Sequence, residues 1–489
     1  MQPRSLILIT IDCLRADHVG FMGYQRPTTP FLDSLTGESM IFRHATAAGT
    51  PTYYAMPAIM ASRYPLALGR DLIGVASDEN TLASVLAESG FATAGFSAGN
   101  PYISARFGYE RGFDTFRDFL DRRYAPEFIA SGEDGLRHRA NQAISRACHH
   151  IGPLGAAYDE LYFRYCQRVS ERAAKSLDEL RRYPAADVIV DSAISWLKQH
   201  SAGRFFLWLH FMDPHAPYYP RREALQKMGH AGIGSREAIY LNSYWSRSDL
   251  SNGRLAKKRE QVTNLYDAGI RWADEQICRL ASSLVELNAW DKCALAVTAD
   301  HGEEFLDHGA RFHSPFTLKQ EMLHVPFQVR VPGIDASEVG WPVSSIDIAP
   351  TLLDMLDVPA PADFRGRSWW NSHPAPQKLR PVLSECVHGC TNPFRSRNRL
   401  GPRILAVQKG NYKLVVDFAT GLEELFHLDA DPKELSPLPL GEASATRKEL
   451  LQFARKHLAE SHQSRDFDRR QALLVRDLRL EWAHSATRN

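Results

Sequence analysis

The residues best suited to chemistry gather in one stretch, VTADHGEEFLDHGARFH, from Val297 to His313. The apolar, β-prone run Ala294–Thr298 delivers Asp300, His301, Gly302 and Glu303 at its carboxyl end, which is where open α/β sheets bind ligands. A carboxylate and an imidazole side by side suit a divalent cation; a polar surface turn is the other reading. His308 and His313 follow closely. A second carboxylate, Asp12, ends the apolar run Ser5–Ile11 and reads either as a ligand or as a helix N-cap. It can meet Asp300 and His301 only if the two strands are neighbours, a common arrangement in doubly wound sheets.

The segment GTPTYYAMPAIMASRYP (Gly49–Pro65) adds a hydroxyl. Pro51 marks a turn and Ala55–Ala61 a helix, so Thr52 lies near a helix N-terminus, where free amides and the dipole favour an anion. Capping and catalysis are both open to it. A third string, HFMDPHAPYYP, places His210, Asp213 and His215 at the end of the expected strand Phe205–Phe211.

These residues need a sheet to hold them, and the chain supplies an α/β rhythm. Ser5–Ile11 reads as a buried parallel strand. Asn80 is placed to cap a helix carrying Leu82, Val85 and Leu86, which stops at Gly90 before the strand Phe91–Phe96. Phe113 to about Tyr183 is arginine-rich and helix-prone with no obvious strand, and reads as a helical insertion. Val190, Ala193, Ile194 and Leu197 mark an amphipathic helix. Arg221–Glu260 reads as a polar surface excursion. Tyr266, Ile270, Ala273, Ile277, Leu280 and Leu284 mark one face of a long helix. A further strand is expected in HVPFQVRVPG and a helix over Ile346–Leu356. From Pro381 short strands take over, at Ile404–Val407, Tyr412–Val416 and Glu424–Leu428. Leu440–Asn489 is charged and helix-prone.

Composition narrows the class. With 44% hydrophobic and 24% charged residues, the 489-residue chain is an ordinary globular protein. Lys plus Arg (58) balance Asp plus Glu (57), and the net charge of +1 points to no nucleic-acid partner. Seven scattered cysteines without a recognisable signal peptide lead us to expect a cytoplasmic protein. No run approaches the roughly 20 apolar residues of a transmembrane helix. Cys386 and Cys390 lack the second ligand pair that a zinc knuckle requires.

The strings IDCLRADHVGFMGYQRPTTPFLDSL, Thr52 through Ser62-Arg63-Tyr64-Pro65, LHFMDPHAPY, LYDAGIRWADEQI, TADHGEEFLDHG and SIDIAPTLLDML occur in the order found in one family. Together they resemble the sulfatase branch of the alkaline phosphatase superfamily, over most of Leu6 to about Pro437. The resemblance implies an α/β, alkaline-phosphatase-like fold: a doubly wound, mostly parallel sheet flanked by helices, with a small C-terminal antiparallel subdomain. Residues 1–375 would form the catalytic domain with its insertion at about 113–183, residues 376–440 the subdomain, and residues 441–489 a helical extension.

The implied chemistry is a metal-dependent ester hydrolase. Asp12, Thr52, Asp300 and His301 are the expected ligands of one divalent ion (zinc, manganese, calcium or magnesium), with Thr52 as nucleophile. In the resembled family the histidine of the LHFMDPHAPY string contacts the transferred or leaving group, a role that falls to His215. His313 joins it as an acid or charge-neutralising group, and His308 joins both in substrate binding. Asp213, His215, His308 and His313 also offer material for a second ion. The pattern departs from formylglycine sulfatases, which carry Cys or Ser, then Pro two residues on and Arg four residues on; here those positions are Thr52, Tyr54 and Met56. Cys13 replaces a common metal-binding aspartate and His313 a common lysine. The expected substrate is therefore a small-molecule, glycan or lipid ester, with phosphate favoured over sulfate. A phospho-group transferase to a sugar or lipid acceptor, or a catalytically retired binding protein, are the alternatives.

Overall fold

The computed structural model describes residues 3–68, 72–120, 176–313, 317–370, 379–390 and 401–463, with scattered helical positions between 144 and 165. Strand β1 (Ser5–Ile11) is buried at every residue, the consequence of an apolar strand covered on both faces. Each of its Leu and Ile side chains contributes roughly 1.5–3 kcal/mol by leaving water. The other strands of its sheet are β2 (Ser39–Phe42), β3 (Ala92–Ser97), β4 (Thr115–Arg117), β5 (Phe205–Phe211), β6 (Cys293–Ala299), β7 (Phe327–Arg330) and β8 (Ser337–Val339). Their order is β8-β2-β7-β6-β1-β5-β3-β4. Only β7 runs against its neighbours, pairing antiparallel with both β6 and β2. The doubly wound, mostly parallel sheet is thus present, with β1 between β5 and β6.

Helices cover the sheet. They include α1 (Thr52–Ala61), α2 (Leu82–Glu88), α3 (Ala186–His200), α4 (Arg259–Glu286) and α5 (Ile348–Met355). The apolar face expected of α4 is buried from Leu265 to Leu284. Four antiparallel strands follow: β9 (Val382–Val387), β10 (Arg403–Lys409), β11 (Tyr412–Asp417) and β12 (Leu422–His427).

Some local expectations change. The cap of α2 is Thr81, whose Oγ1 accepts from Ser84 N at 3.0 Å; Asn80, one residue too early, instead donates to Asp363. Thr115–Arg117 is a strand inside the stretch expected to be helical, and it pairs with β3. Three residues are too few to show a period. The stretch 221–260 is no simple surface excursion: it holds helices Arg222–Lys227 and Ser235–Trp245, and Trp245 is fully buried. Its apolar residues are spread among polar ones, which masked their common face. Most of the expected insertion at 113–183 lies outside the described residues. Helix α6 (Ser444–Gln463) packs Leu450 and Ala454 on the C-terminal sheet against Leu405, Val407 and Leu414. The first part of the 441–489 extension therefore belongs to the subdomain core, and residues 464–489 lie outside the described ones.

Candidate active site

Register brings the two carboxylates together. Ile11 is level with Ala299 on β6 and with Phe211 on β5, so Asp12 and Asp300 leave the same sheet edge side by side. Both are fully buried, as is His301. Gly302 permits the close turn that follows, because a Cβ there would lie 1.9 Å from the Glu321 carbonyl oxygen. On the other side, Tyr266 of α4 clamps the loop after β1: its hydroxyl donates to the Cys13 carbonyl at 2.7 Å and accepts from Arg15 N at 3.0 Å.

Thr52, the first residue of α1, completes the group. Its Oγ1 donates to Asp12 Oδ2 at 3.3 Å and lies 3.2 Å from His301 Nε2. His301 Nδ1 is tied to the Gly302 carbonyl at 2.8 Å, which leaves the Nε2 lone pair facing Thr52 and the carboxylates. Nε2 is 3.5 Å from Asp300 Oδ2 and 4.0 Å from Asp12 Oδ1. Asp300 Oδ1 accepts from Cys13 N and His301 N, whereas its buried Oδ2 has no hydrogen-bond partner. Two acceptors facing each other in a dry site are the arrangement a cation resolves. The donor set fits a divalent ion.

The electrostatics differ between the two carboxyls. Burial alone would raise the Asp12 pKa, but His215, His210 and His301 around it hold it well below the usual range. Burial, with Asp12 close by, raises Asp300 to about 7. Burial lowers the pKa of His215 and His301. His313 goes the other way: against the effect of burial, the Glu303 carboxylate raises it to about 9.

His215 and His313 stand at the mouth of the site, half-buried, with ring centroids 4.8 Å apart. His313 is also 5.3 Å from the His301 ring. Asp213 does not enter the site; it accepts from Arg181 at 2.8 Å and from Ala186 N at 2.9 Å, capping α3. His308 stands apart from the group, with Nδ1 on Glu321 Oε1 at 2.6 Å and Nε2 on the Glu434 carbonyl at 3.1 Å. Three contributors carried no assigned role from sequence. Asn100 donates to Asp12 Oδ2 at 2.9 Å, His210 Nε2 lies 3.4 Å from the same oxygen, and Glu303 is fully buried behind His313. The position of Asn100 just beyond the end of β3 was the available signal. Tyr183 stacks edge-on against His215 at 5.3 Å, so the end of the expected insertion reaches the site.

A buried carboxylate pair, a hydroxyl at a helix N-terminus and three imidazoles thus meet at the carboxyl edge of a mostly parallel sheet in an alkaline-phosphatase-like fold. The chain belongs to the sulfatase family, whose profile matches residues 4–358. A profile described as N-sulphoglucosamine sulphohydrolase, C-terminal, matches residues 309–462 and takes in α6. Human arylsulfatase K is 27% identical over 282 residues, 50% of each chain. The choline-sulfatase of Rhizobium meliloti is 24% identical over 353 residues, covering 68% of this chain and 61% of its own. The chain thus spans about half the length of the arylsulfatase relatives it matches. Among solved structures, the phosphonate monoester hydrolase of Agrobacterium radiobacter superposes with a TM-score of 0.63 at 19% identity, covering 94% of this chain and 96% of that one. A structure in complex with its substrate D-glucosamine-2-N,6-O-disulfate superposes at 0.66 with 16% identity, covering 95% and 99%. These likenesses establish the fold. Among the described residues, no helix is long and apolar enough to cross a membrane.

Proposed function

We infer that the protein hydrolyses phosphoric or sulfuric esters, phosphate preferred, with Thr52 as the nucleophile. The observation that carries this reading is the convergence of Asp12 and His301 on Thr52 Oγ1 at 3.2–3.3 Å in a buried site. Asp12, Asp300, His301 and Thr52 would hold one divalent cation. When bound, it supplies the positive charge that acidifies a neighbouring hydroxyl and neutralises an anionic ester.

The chain's own residues do the rest. Thr52 Oγ1 forms a bond to phosphorus or sulfur while the bond to the leaving oxygen breaks, and water then hydrolyses the resulting threonine ester. At the start of α1, where Tyr54 N and Ala55 N are already bonded to the Pro51 carbonyl, the earlier amides and the helix dipole would favour the anion. His313, held protonated by Glu303, contributes positive charge to the transferred group, and His215 stands where it can meet the leaving oxygen. Tyr54 and Met56 occupy the positions of the formylglycine motif's proline and arginine, and Met56 is fully buried. An aldehyde-based sulfate exit therefore has neither its precursor nor its arginine, which supports phosphate. Intact-mass spectrometry of rapidly quenched turnover tests the reading: a phosphoryl or sulfuryl adduct on Thr52 is expected. Turnover with unchanged rate in Thr52→Ala would assign the attack to water.

A further inference from the structure

We propose that Cys13, His215 and His313 form a second metal site of the zinc class, beside the oxygen-rich one and independent of whether Thr52 is the nucleophile. One donor atom from each of the three lies within 4.8 Å of the others, and Cys13 Sγ is 3.6 Å from His313 Nδ1. A thiolate with two imidazoles is a donor set that selects zinc or cobalt over magnesium or calcium.

The surroundings look built for it. Cys13 has φ 62°, a left-handed conformation that ordinary residues adopt rarely. Its backbone is pinned there by hydrogen bonds from its N–H to Asp300 and from Tyr266 to its carbonyl. The thiol is fully buried, so the conformation presents sulfur to the site and not to solvent. His215 donates through Nδ1 to the Ala216 carbonyl, which leaves the Nε2 lone pair for a ligand. Glu303 is fully buried with neither carboxylate oxygen hydrogen-bonded, and its Oε1 is 3.7 Å from His313 Nδ1. The carboxylate and the Cys13 sulfur thus face the same imidazole nitrogen, which gathers negative charge where a cation would sit. Cys13 and His313 are also the two positions where the chain departs from the sulfatase pattern of aspartate and lysine. The replacements meet each other in space, so the fixed lysine charge would give way to an exchangeable metal charge. With the ion bound, it takes over the roles that the metal-free pair fills, the charge of His313 and the contact of His215 with the leaving oxygen.

Binding is a proton-for-metal exchange. The Cys13 thiol gives up its proton as the sulfur–metal bond forms, and His313 gives up its own where it is charged. Three protein donors leave one tetrahedral position for an oxygen of the ester.

Cys13 Sγ also lies within 4.8 Å of donor atoms of Asp12 and His301, so the test must separate two ions from one. The full chain is stripped of metal and titrated with zinc or cobalt(II). Wild type should bind two ions, and the cobalt form should show a thiolate-to-cobalt charge-transfer band in the near ultraviolet. Cys13→Ala should bind one ion and lose the band. His313→Ala should keep the band but bind the second equivalent at least tenfold more weakly. Thr52→Ala should keep the band while losing turnover, so failure of this site and failure of the nucleophile reading are told apart. If Cys13→Ala does not fold, zinc-edge X-ray absorption of the wild type decides, with a sulfur neighbour expected at about 2.3 Å. One ion per wild-type chain, a band that survives Cys13→Ala, or no sulfur neighbour would overturn the proposal.

Discussion

His308 and His313 belong to one short segment, yet the structure puts them to opposite uses. His308 lies in the seam between the N-terminal fold and the C-terminal sheet, where its partners are held by further side chains, although Lys413 Nζ and Glu434 Oε1 meet as an ion pair outside hydrogen-bond geometry. It holds Glu321 and the Glu434 carbonyl, Glu434 accepts from Gln320 N at 2.7 Å and pairs with Lys413 at 2.8 Å, and Lys319 pairs with Glu424 at 2.9 Å. At the sheet edge around His313 the accounts stay open: Asp300 Oδ2, His210 Nε2 and both oxygens of Glu303 lack hydrogen-bond partners. Buried polar groups are ordinarily satisfied, and each exception asks for an explanation. In the seam, polar contacts join the N-terminal fold to the C-terminal sheet; at the edge, buried polar atoms converge without hydrogen-bond partners. The seam should therefore govern stability and the edge activity.

The sharpest break in that contrast is Thr52→Ala. Loss of the nucleophile should lower kcat/KM by about a thousandfold or more, roughly 4 kcal/mol of transition-state stabilisation. Its melting temperature should stay near that of the wild type, because Pro51 and not Thr52 occupies the N-cap of α1. Thr52→Ser should keep part of the activity. A large fall in melting temperature with intact turnover would reverse the roles of edge and helix.

Lys413→Met attacks the seam instead. The Lys413 and Glu434 side chains are 2% and 0% exposed, so removing the cation strands a buried carboxylate. The expected cost is about 3–4 kcal/mol in urea unfolding, with per-molecule activity of the folded fraction retained. A change below about 1 kcal/mol would mean that solvent reaches Glu434 and that the seam is not the stabilising region.

The same contrast marks what could be read from sequence. Asp12, Thr52, Asp300 and His301 were legible because strand ends and a helix start fix where side chains emerge, and a parallel sheet brings its carboxyl ends to one edge. Asn100 obeys the same rule, but it follows β3 between Gly99 and Pro101, residue types that mark a turn as readily as a site. His308 read as a site residue because spacing along the chain says nothing about which carboxylate waits across the seam. Glu321, Glu434 and Lys413 come from three separate elements, and only tertiary register joins them. The helix α6 was legible as helix-prone, whereas its attachment to the C-terminal sheet rests on residues spaced along it, Leu450 and Ala454 with Leu451, Phe453 and Leu458 beside them, and on His457 bonded to Glu385 at 3.0 Å.

A smaller effect tests which anion the edge prefers. With a single aryl leaving group and several divalent metals, kcat/KM for the phosphate ester should exceed that for the sulfate by roughly tenfold or more, about 1.4 kcal/mol. A threonine phosphate is released by attack of water, while a threonine sulfate lacks the elimination route that a hydrated aldehyde provides. Faster sulfate turnover under every metal would transfer the preference to sulfate.

The smallest effect concerns His308 and has a definite sign in pH. The hydrogen bond that His308 Nδ1 donates to the Glu321 carboxylate raises the pKa of His308 above its ordinary value near 6.5. A group whose folded pKa is raised stabilises the fold fully below the unfolded pKa and loses that contribution as pH climbs through the folded one. His308→Gln keeps a side chain able to hydrogen-bond but cannot carry charge. The variant should therefore be less stable than wild type by about 1 kcal/mol below pH 6.5, a typical value for one partly enclosed charged hydrogen bond. The gap should close as pH rises above that point. Urea unfolding of both proteins at a series of pH values measures it. A gap that stays constant, or that widens with pH, would show that the imidazole acts in the seam as a neutral hydrogen-bonding group and that its charge contributes nothing there.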